Sequence, residues 1–555
     1  MRKTLAGLEV WRSDAAANKQ LGVQLAMTAV LSFVLGVSAS AQTLGVGSSY
    51  EDYIRALQIS GRSDVGSFTV RGFGLQNDLG SIVIDGDHPW RTELNAAAHD
   101  DEDWDFSSLD PELSIFSNSR FPTGQNDGAV WQGKGLTTAL DFGGEARWRN
   151  LSVMVRPVIT HAQNSSFELA PAANEFAYPW SGGIYPYSID LPQRFGSDSF
   201  WEFDPGQSEI RLDLGGASFG GSTSALWWGP GIRNALVMSN NAPGIPNLFL
   251  GTNEPLDIAV GELEARWIWG NLDQSDWFDP SVANTDRFLT GIVATYSPDF
   301  FEGLSLGMTR VFYGWVPDGG SPFGDYFAVF QGLRKKGLAT EENPHGNDEH
   351  DQLLSLFSRW VLTESGLEIY AEWARNDHAW DLRDFLLEPE HSRAFTFGLQ
   401  KAVDMGSNRI LSLKGEVTSL ERGSTLQVRA VPVYYMHHRV AQGYTQRGQI
   451  IGAGIGPGGS VQFIGGDLYT SWGLVGTYFE RQVHDNDAYY QWARANDAGF
   501  WRHDVSFRWG AHGLLFVGDF DVSSGLVVTR EFNRYFSGPD LWNLNLRFSA
   551  RWRPR

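Results

Sequence analysis

The segment Trp542-Asn543-Leu544-Asn545-Leu546-Arg547-Phe548-Ser549-Ala550-Arg551-Trp552 divides by parity into two chemistries. Its even positions are all apolar or aromatic, and its odd positions are Asn, Asn, Arg, Ser and Arg. Successive side chains of a strand point to opposite faces, so the segment carries one apolar face and one hydrogen-bonding face. About ten residues is the length a tilted strand needs to cross a bilayer, and aromatics at both ends match interfacial girdles. A half-buried strand of a soluble sandwich alternates in the same way. The rest of the chain has to decide between them.

The alternation recurs. Ala259, Gly261, Leu263, Ala265, Trp267 and Trp269 share one parity against Val260, Glu262, Glu264, Arg266 and Ile268. Leu411, Leu413, Gly415 and Val417 oppose Ser412, Lys414, Glu416 and Thr418. Leu367, Ile369, Ala371 and Trp373 oppose Glu368, Tyr370, Glu372 and Ala374, and Val505, Phe507 and Trp509 oppose Ser506 and Arg508. Charges of both signs on the polar parity are foreign to a sandwich core but suit a wet lumen inside a lipid-facing wall. From about Ala129 onward strand and turn signals alternate without a long helix. About 425 residues at roughly 23 per strand and connection give about 18 strands, the even number such barrels require. The expected fold is therefore all-β: a transmembrane antiparallel β-barrel, closed so that no backbone group is left unpaired in lipid. Turn-rich stretches at Asp318-Gly319-Gly320, Glu341 to Asp351 and His484 to Asp487 are expected as loops outside the bilayer.

Composition agrees. The 555 residues include 22 Trp, 35 Phe, 17 Tyr, 63 Gly and no Cys, and a mean hydropathy of -0.26 excludes a bundle of membrane helices. The long apolar run Leu21 to Val37 follows Arg2, Lys3, Arg12 and Lys19 and ends in Ala39-Ser40-Ala41, so residues 1–41 read as an export signal. Without them, 39 Lys plus Arg face 63 Asp plus Glu, a net charge of -24. Nucleic acid needs a basic partner and is excluded. An exported chain without cysteine has no disulfide framework. A closed ladder of hydrogen-bonded strands supplies the cohesion instead.

Residues 42–126 are expected as a partly helical N-terminal region and 127–555 as the barrel. Ser48 and Glu51 fit a capping box, and Tyr50, Tyr53, Ile54 and Leu57 follow helical spacing, predicting a helix over 48–59. The acidic run Asp100 to Asp103 lacks the spaced ligands of a calcium loop and reads as solvated loop. Several catalytic strings carry no weight. Gly216-Ala217-Ser218-Phe219-Gly220 has no helix after it, as a nucleophile elbow needs. Pro457 interrupts the glycine motif starting at Gly454. His437 and His438, adjacent on an expected strand, would face opposite ways and share no metal.

The segment Ala225 to Pro255 is richer: ALWWGPGIRNALVMSNNAPGIPNLFLGTNEP. Trp227 and Trp228 abut a Gly-Pro-Gly turn, and Ser239 to Gly244 form a second, polar turn. Indole faces stack on sugars, while Asn and Arg donate to hydroxyls and carboxylates, so the residues fit either loop packing or a ligand-facing patch. This run resembles the capsule-assembly Wzi family of outer-membrane proteins. So do Ile189 to Gly196 and Pro205 to Arg211 upstream. Ala374 to His378, Leu382 to Asp384, His391 to Ala394, Gly443 to Gln449 and Gly454 to Gly458 continue the likeness downstream. The N-terminal region and last strands match by character alone, and the tail Arg553-Pro554-Arg555 departs from the usual ending on an aromatic residue.

The resemblance implies a monomeric barrel of about eighteen strands with a helical plug on the periplasmic side. It also implies a lectin holding capsular or extracellular polysaccharide at the cell surface, rather than an enzyme or an open porin. The candidate carbohydrate-binding residues are Trp227, Trp228, Arg233, Asn240, Asn241, Arg375, Asp377, His378, Arg383, Asp384, His391, Tyr444 and Arg447. The Arg-Asp-His group also fits the ion-pair ladders that fill barrel interiors. Outer-membrane lipid and the barrel-assembly machinery are the other expected partners, and no metal or cofactor is expected. The rival readings are a substrate channel and an outer-membrane lipid or glycan hydrolase.

Overall fold

Across the described residues the alternation yields eighteen strands joined in one closed antiparallel barrel. The computed structural model describes residues 40–41, 45–72, 83–84, 86–95, 104–170, 180–181, 184–185, 187–278, 286–317, 320–321, 323–332, 350–376, 381–493 and 502–553. The first nine strands are β1 (Trp104–Asn118), β2 (Gly135–Trp148), β3 (Leu151–Val155 continued by Val158–Ala162), β4 (Phe200–Asp204 continued by Glu209–Leu214), β5 (Ala217–Ser222), β6 (Asn247–Thr252), β7 (Gly261–Leu272), β8 (Arg287–Pro298) and β9 (Leu304–Trp315). The rest are β10 (His350–Leu362), β11 (Leu367–Asn376), β12 (Arg393–Asp404), β13 (Ile410–Ser419), β14 (Ser460–Thr470), β15 (Gly473–His484), β16 (Asp504–Val517), β17 (Phe520–Phe532) and β18 (Leu541–Trp552). Each pairs with its neighbour in sequence, and β18 closes the ring on β1, from Asn545 opposite Asn118 to Arg551 opposite Glu112.

The two faces separate as their chemistry requires. On β18 Trp542, Leu544, Leu546, Phe548 and Trp552 are exposed on the outside, whereas Asn543, Asn545 and Ser549 are buried within. On β13 Leu413 and Val417 face out while Lys414 and Glu416 are buried inside. The barrel begins earlier than expected. β1 starts at Trp104, ahead of the boundary placed at residues 126 and 127, and it contains Pro111. Proline removes a ladder donor and is confined to edges and bulges. Here the pairing of β1 with β2 shifts register between Leu109 and Glu112, so Pro111 sits in a bulge. Residues 1–39 of the expected export signal and the acidic run Asp100 to Asp103 lie outside the described residues. So do Asp318, Gly319 and residues 341–349 of the expected loops.

Connections differ sharply between the two ends. One end carries short turns, such as 149–150, 215–216, 363–366, 471–472 and 518–519; the other carries spans such as 163–199, 223–246 and 420–459. The expected helix is α1 (Ser49–Ile59), and it lies inside the short-turn end. Ser48 Oγ accepts from the Glu51 N–H at 3.2 Å, while the Glu51 carboxylate accepts from Gly47 N–H at 2.6 Å, one residue outside the box. Tyr50, Tyr53, Ile54 and Leu57 pack on Val361, Ala402, Ile410, Tyr469 and Leu474 of the wall. Trp90 stacks on Tyr53 with ring centroids 4.2 Å apart.

Polar locks complete the plug. Arg55 and Arg359 both grip the Glu368 carboxylate at 2.5 Å, and all three side chains are buried. The tail also has a place here. Arg553 bonds the Tyr50 hydroxyl, Glu93 and Asp521, tying the residue after β18 to the plug.

Candidate functional site: a chamber in the lumen

Two of the long connections turn inward. Segments 223–246 and 420–459 pack against each other within the barrel, joining Trp228, Leu236 and Met238 to Tyr435, Tyr444 and Ile451 in one apolar cluster. Inward carboxylates from the wall hold the first segment. Glu416 accepts from the backbone N–H groups of Ile232, Arg233 and Asn234, at 2.7, 3.2 and 2.9 Å, and from the Tyr370 hydroxyl at 2.8 Å. Glu372 accepts from the Leu236 N–H at 3.3 Å. Gly229 has φ +98°, and a Cβ there would press on the Glu372 carboxylate. The Gly-Pro-Gly turn is thereby locked to the wall.

Between these segments, the start of the plug and the inner wall lies a chamber of about 610 Å³. Gly45 to Tyr50, loop residues Thr123 to Gln132, Trp227, Arg233 and Asn240 line it, together with inward side chains of β1, β2 and β14 to β18. Its walls are ion-paired. Arg233 and Arg508 share Glu480 at 2.8 and 2.7 Å, Lys414 bridges Asp52 and Asp467, and Arg551 meets Glu112 at 2.7 Å. The Arg233 guanidinium lies 4.9 Å from the Phe463 ring centre and 5.0 Å from that of Tyr478. The Trp227 indole nitrogen and the Asn240 amide oxygen are buried at this chamber with no hydrogen-bond partner among the described residues. Unfilled groups of this kind want a hydroxyl, an amide or water.

The expected site residues fall into separate places. Trp227, Arg233 and Asn240 border the chamber, Asn240 donating to Val46 O at 3.0 Å. Trp228 is enclosed in the apolar cluster and reaches no surface. Asn241 donates to Ile450 O at 2.9 Å, joining the two inward segments. Tyr444 is buried against Tyr435 and Tyr313. Arg447, on the tight turn between Thr445-Gln446 and Gln449-Ile450, pairs with Glu202 and Asp204 of β4. Arg375, Asp384 and His391 gather at the long-loop end, Arg375 lying 3.6 Å from Asp384. Arg383 is exposed there, and Asp377 and His378 lie outside the described residues. His437 and His438 are not on a strand; they sit in the inward segment with ring centres 4.5 Å apart. Among the described residues no group of three or more His, Cys, Asp or Glu is arranged to hold a metal ion.

Sequence reasoning did not find Gln125, Asn126 and Asp127, which line the chamber from the β1–β2 loop. Their only signal is a polar turn. Gln125 bonds Asn234 at 3.0 Å and Asn126 bonds the Arg233 carbonyl at 2.9 Å, so this loop and the inward segment form one wall.

One loop at the same end holds two buried carboxylates above their ordinary range. Helix α4 is Asn486–Ala493, the short Arg91–Asn95 and Leu382–Leu387 being α2 and α3. Asn486 donates to Glu421 at 2.8 Å, and Asp487 accepts from the Arg422 N–H at 2.9 Å. Burial, and then the neighbouring Asp487, push Asp485 up to about 8, and burial pushes Asp487 up to about 6 despite Arg422. A carboxylate raised in the folded state holds more protons there than in the unfolded chain, so its contribution falls as pH rises. Docking of α4 is expected to be firmest near pH 4 and to weaken as pH climbs through about 8. Limited proteolysis should cut this loop faster at high pH, and Asp485→Asn should flatten the dependence.

The model of the capsule assembly protein Wzi family matches residues 119–469. The fold is similar to that of Wzi from Escherichia coli, described as an outer-membrane, carbohydrate-binding β-barrel involved in group 1 capsule assembly. The two share 13% identity and a TM-score of 0.60, over 92% of this chain and 100% of that one. A BenF-like porin from Pseudomonas fluorescens gives 10% identity and a TM-score of 0.40 over 81% of this chain and 98% of its own. Pseudomonas aeruginosa OccK2 gives 12% and 0.39 over 81% and 97%. No curated protein matches the chain.

Proposed function

The chain belongs to the capsule assembly protein Wzi family, and from that premise we propose that it is an outer-membrane lectin that binds and organises exported polysaccharide at the cell surface. The observation that carries the reading is the lumen chamber. It combines aromatic faces, paired charges and two unpartnered buried groups, Trp227 Nε1 and Asn240 Oδ1. Sugars offer an apolar face to stack and hydroxyls to fill such groups. In this reading the short-turn end and plug face the periplasm and the long connections face outward, as in other such barrels. Residues 1–41 are the export signal removed on the way. A repeating polymer gains by avidity along its length, so each contact can be weak.

Arg156, Arg233, Arg508, Arg547 and Arg551 all line the chamber, and Arg547 is half exposed to the cavity. Each is paired with a carboxylate, and the one left most open to an acidic glycan is Arg547, 3.5 Å from Asp127. The protein acts as a binding protein and not as a hydrolase, because the chamber offers paired carboxylates already committed to arginine and lysine.

The test is direct. The purified barrel should bind the polysaccharide of its own cell by calorimetry, and a strain lacking it should shed that polymer from its surface. Trp227→Phe keeps an aromatic face but removes the pyrrole ring with its N–H, and should weaken binding at least about five-fold, since the hydrogen bond alone is worth roughly 1 kcal/mol. Unchanged retention together with no binding by the purified protein would sink the lectin reading.

A further inference from the structure

Two of the arginines on the outward parity of the described wall are buried. On β9 the outward parity runs Leu304, Leu306, Met308, Arg310 and Phe312, and Leu306 and Met308 are exposed to the outside. On β11 it runs Leu367, Ile369, Ala371, Trp373 and Arg375. Register places Arg310 and Arg375 opposite the same residue, Leu354, so they flank β10 in one row. A bare guanidinium on the lipid face of a barrel is destabilising. Both are nevertheless buried.

Each is covered by a short helical segment folded back over the outside of the barrel. A 3-10 turn, Asp325–Phe330, lies on Trp267, Ile292 and Phe312 through Ala328 and Val329. Its backbone carbonyls receive the wall. Arg310 donates to Val329 O at 2.9 Å and Gln331 O at 2.6 Å, while Trp269 and Thr290 donate to Tyr326 O at 3.0 and 3.1 Å. Gln352, on the outward parity of β10, accepts from Arg310 Nε at 2.8 Å. Helix α3 covers Arg375 through an ion pair and ring packing instead of backbone carbonyls, its Phe385 ring centre lying 5.9 Å from the guanidinium. Asp384 lies 3.6 Å from the same guanidinium, and Phe385 meets Trp373 edge to face at 5.6 Å.

Apart from Arg383, whose long stem lets its charge snorkel toward the interface, what these two flaps turn away from the wall is apolar. Phe323 and Phe330 are 78% and 60% exposed, and Leu382, Leu386 and Leu387 are 57%, 66% and 62% exposed. Their surface continues the greasy outer face formed by Leu356, Trp360, Phe397 and Leu399. Patches of this size on a water-facing loop would be a liability. We infer that both flaps are immersed in the hydrocarbon of the outer leaflet, as lipid-facing anchors clasped to the barrel by Arg310 and Arg375. The partner is the acyl chain region of the bilayer itself. Continuity with the lipid-facing wall, and backbone carbonyls of the first flap spent on wall donors, both favour it. Arg375 and Asp384, expected as sugar ligands, are in this arrangement structural clasps.

The chain has no cysteine, so a single introduced thiol can be spin-labelled without background. Phe323→Cys, Phe330→Cys and Leu386→Cys would be compared in lipid nanodiscs with Leu356→Cys on the wall and Glu364→Cys on a water-facing turn. Accessibility to dissolved oxygen and to a water-soluble nickel chelate is read at each. The flap sites are expected to show the oxygen exposure of position 356 and to lose the nickel collisions seen at position 364. Nickel exposure like that of position 364 would overturn the inference. So would shielding from both reagents, which would mean that a protein surface covers the flaps. All three flap positions are exposed and report independently, so failure of one variant to fold leaves the test standing.

Discussion

Glu368→Ala is expected to cost about 3–5 kcal/mol, because removing one partner of a buried ion cluster strands the charges it held. Two guanidiniums depend on this carboxylate. Arg55 comes from the plug helix and Arg359 from β10, and neither side chain is more than 2% exposed. Arg359 also donates to Ser67 O at 2.9 Å and Arg55 to Pro230 O at 2.6 Å, so the same cluster reaches the chain after the helix and the Gly-Pro-Gly turn. Loss of Glu368 therefore loosens the plug from two sides at once. The heat-modified gel shift of the folded barrel should move to a lower temperature. In planar bilayers the native protein should stay nearly silent, and the variant should show flickering ion conductance as the plug shifts. A variant as silent and as stable as the parent would show that the apolar packing of α1 holds the plug unaided.

Glu416→Ala should be nearly as damaging, by at least about 3 kcal/mol, since each buried donor left without an acceptor costs roughly 1–3 kcal/mol. Three backbone N–H groups and the Tyr370 hydroxyl lose their acceptor together. Those N–H groups belong to Ile232, Arg233 and Asn234, which set one side of the chamber. Glycan binding should thus fall along with stability. Glu416→Gln, which keeps one acceptor oxygen, should fall between the parent and the Ala variant in denaturant midpoint. Equal effects of Gln and Ala would mean that charge, and not the count of acceptors, holds the turn.

The wall was legible because lipid leaves it no freedom. Each spanning strand must satisfy its backbone within the ladder and present apolar side chains outward, so β7, β11, β13, β16 and β18 announce themselves by parity. β1 escaped because Pro111 and a bulge break its rhythm. The helix of the plug was legible from one cap and four apolar positions. The interior was not. Residues 223–246 and 420–459 carry turn signals, and turns look alike whether they project into water or fold back into a lumen. Parity showed that Glu372 and Glu416 point inward, but not which backbone amides they would meet. Arg375 shows the same limit: its strand parity places it outward, and only the fold brings Asp384 to 3.6 Å from it.

The contacts of Arg553 have a bearing on how the molecule is made. Its partners Tyr50 and Glu93 belong to the first part of the chain to be synthesised, and Asp521 to one of the last strands. The Arg553–Tyr50 contact joins residues 503 positions apart, so this latch on the opening segment forms only once the stretch after β18 has been made. Closure of the ring by β18 thus adds a third fastening to the plug, beside the Arg55–Glu368 pair and the apolar packing of α1.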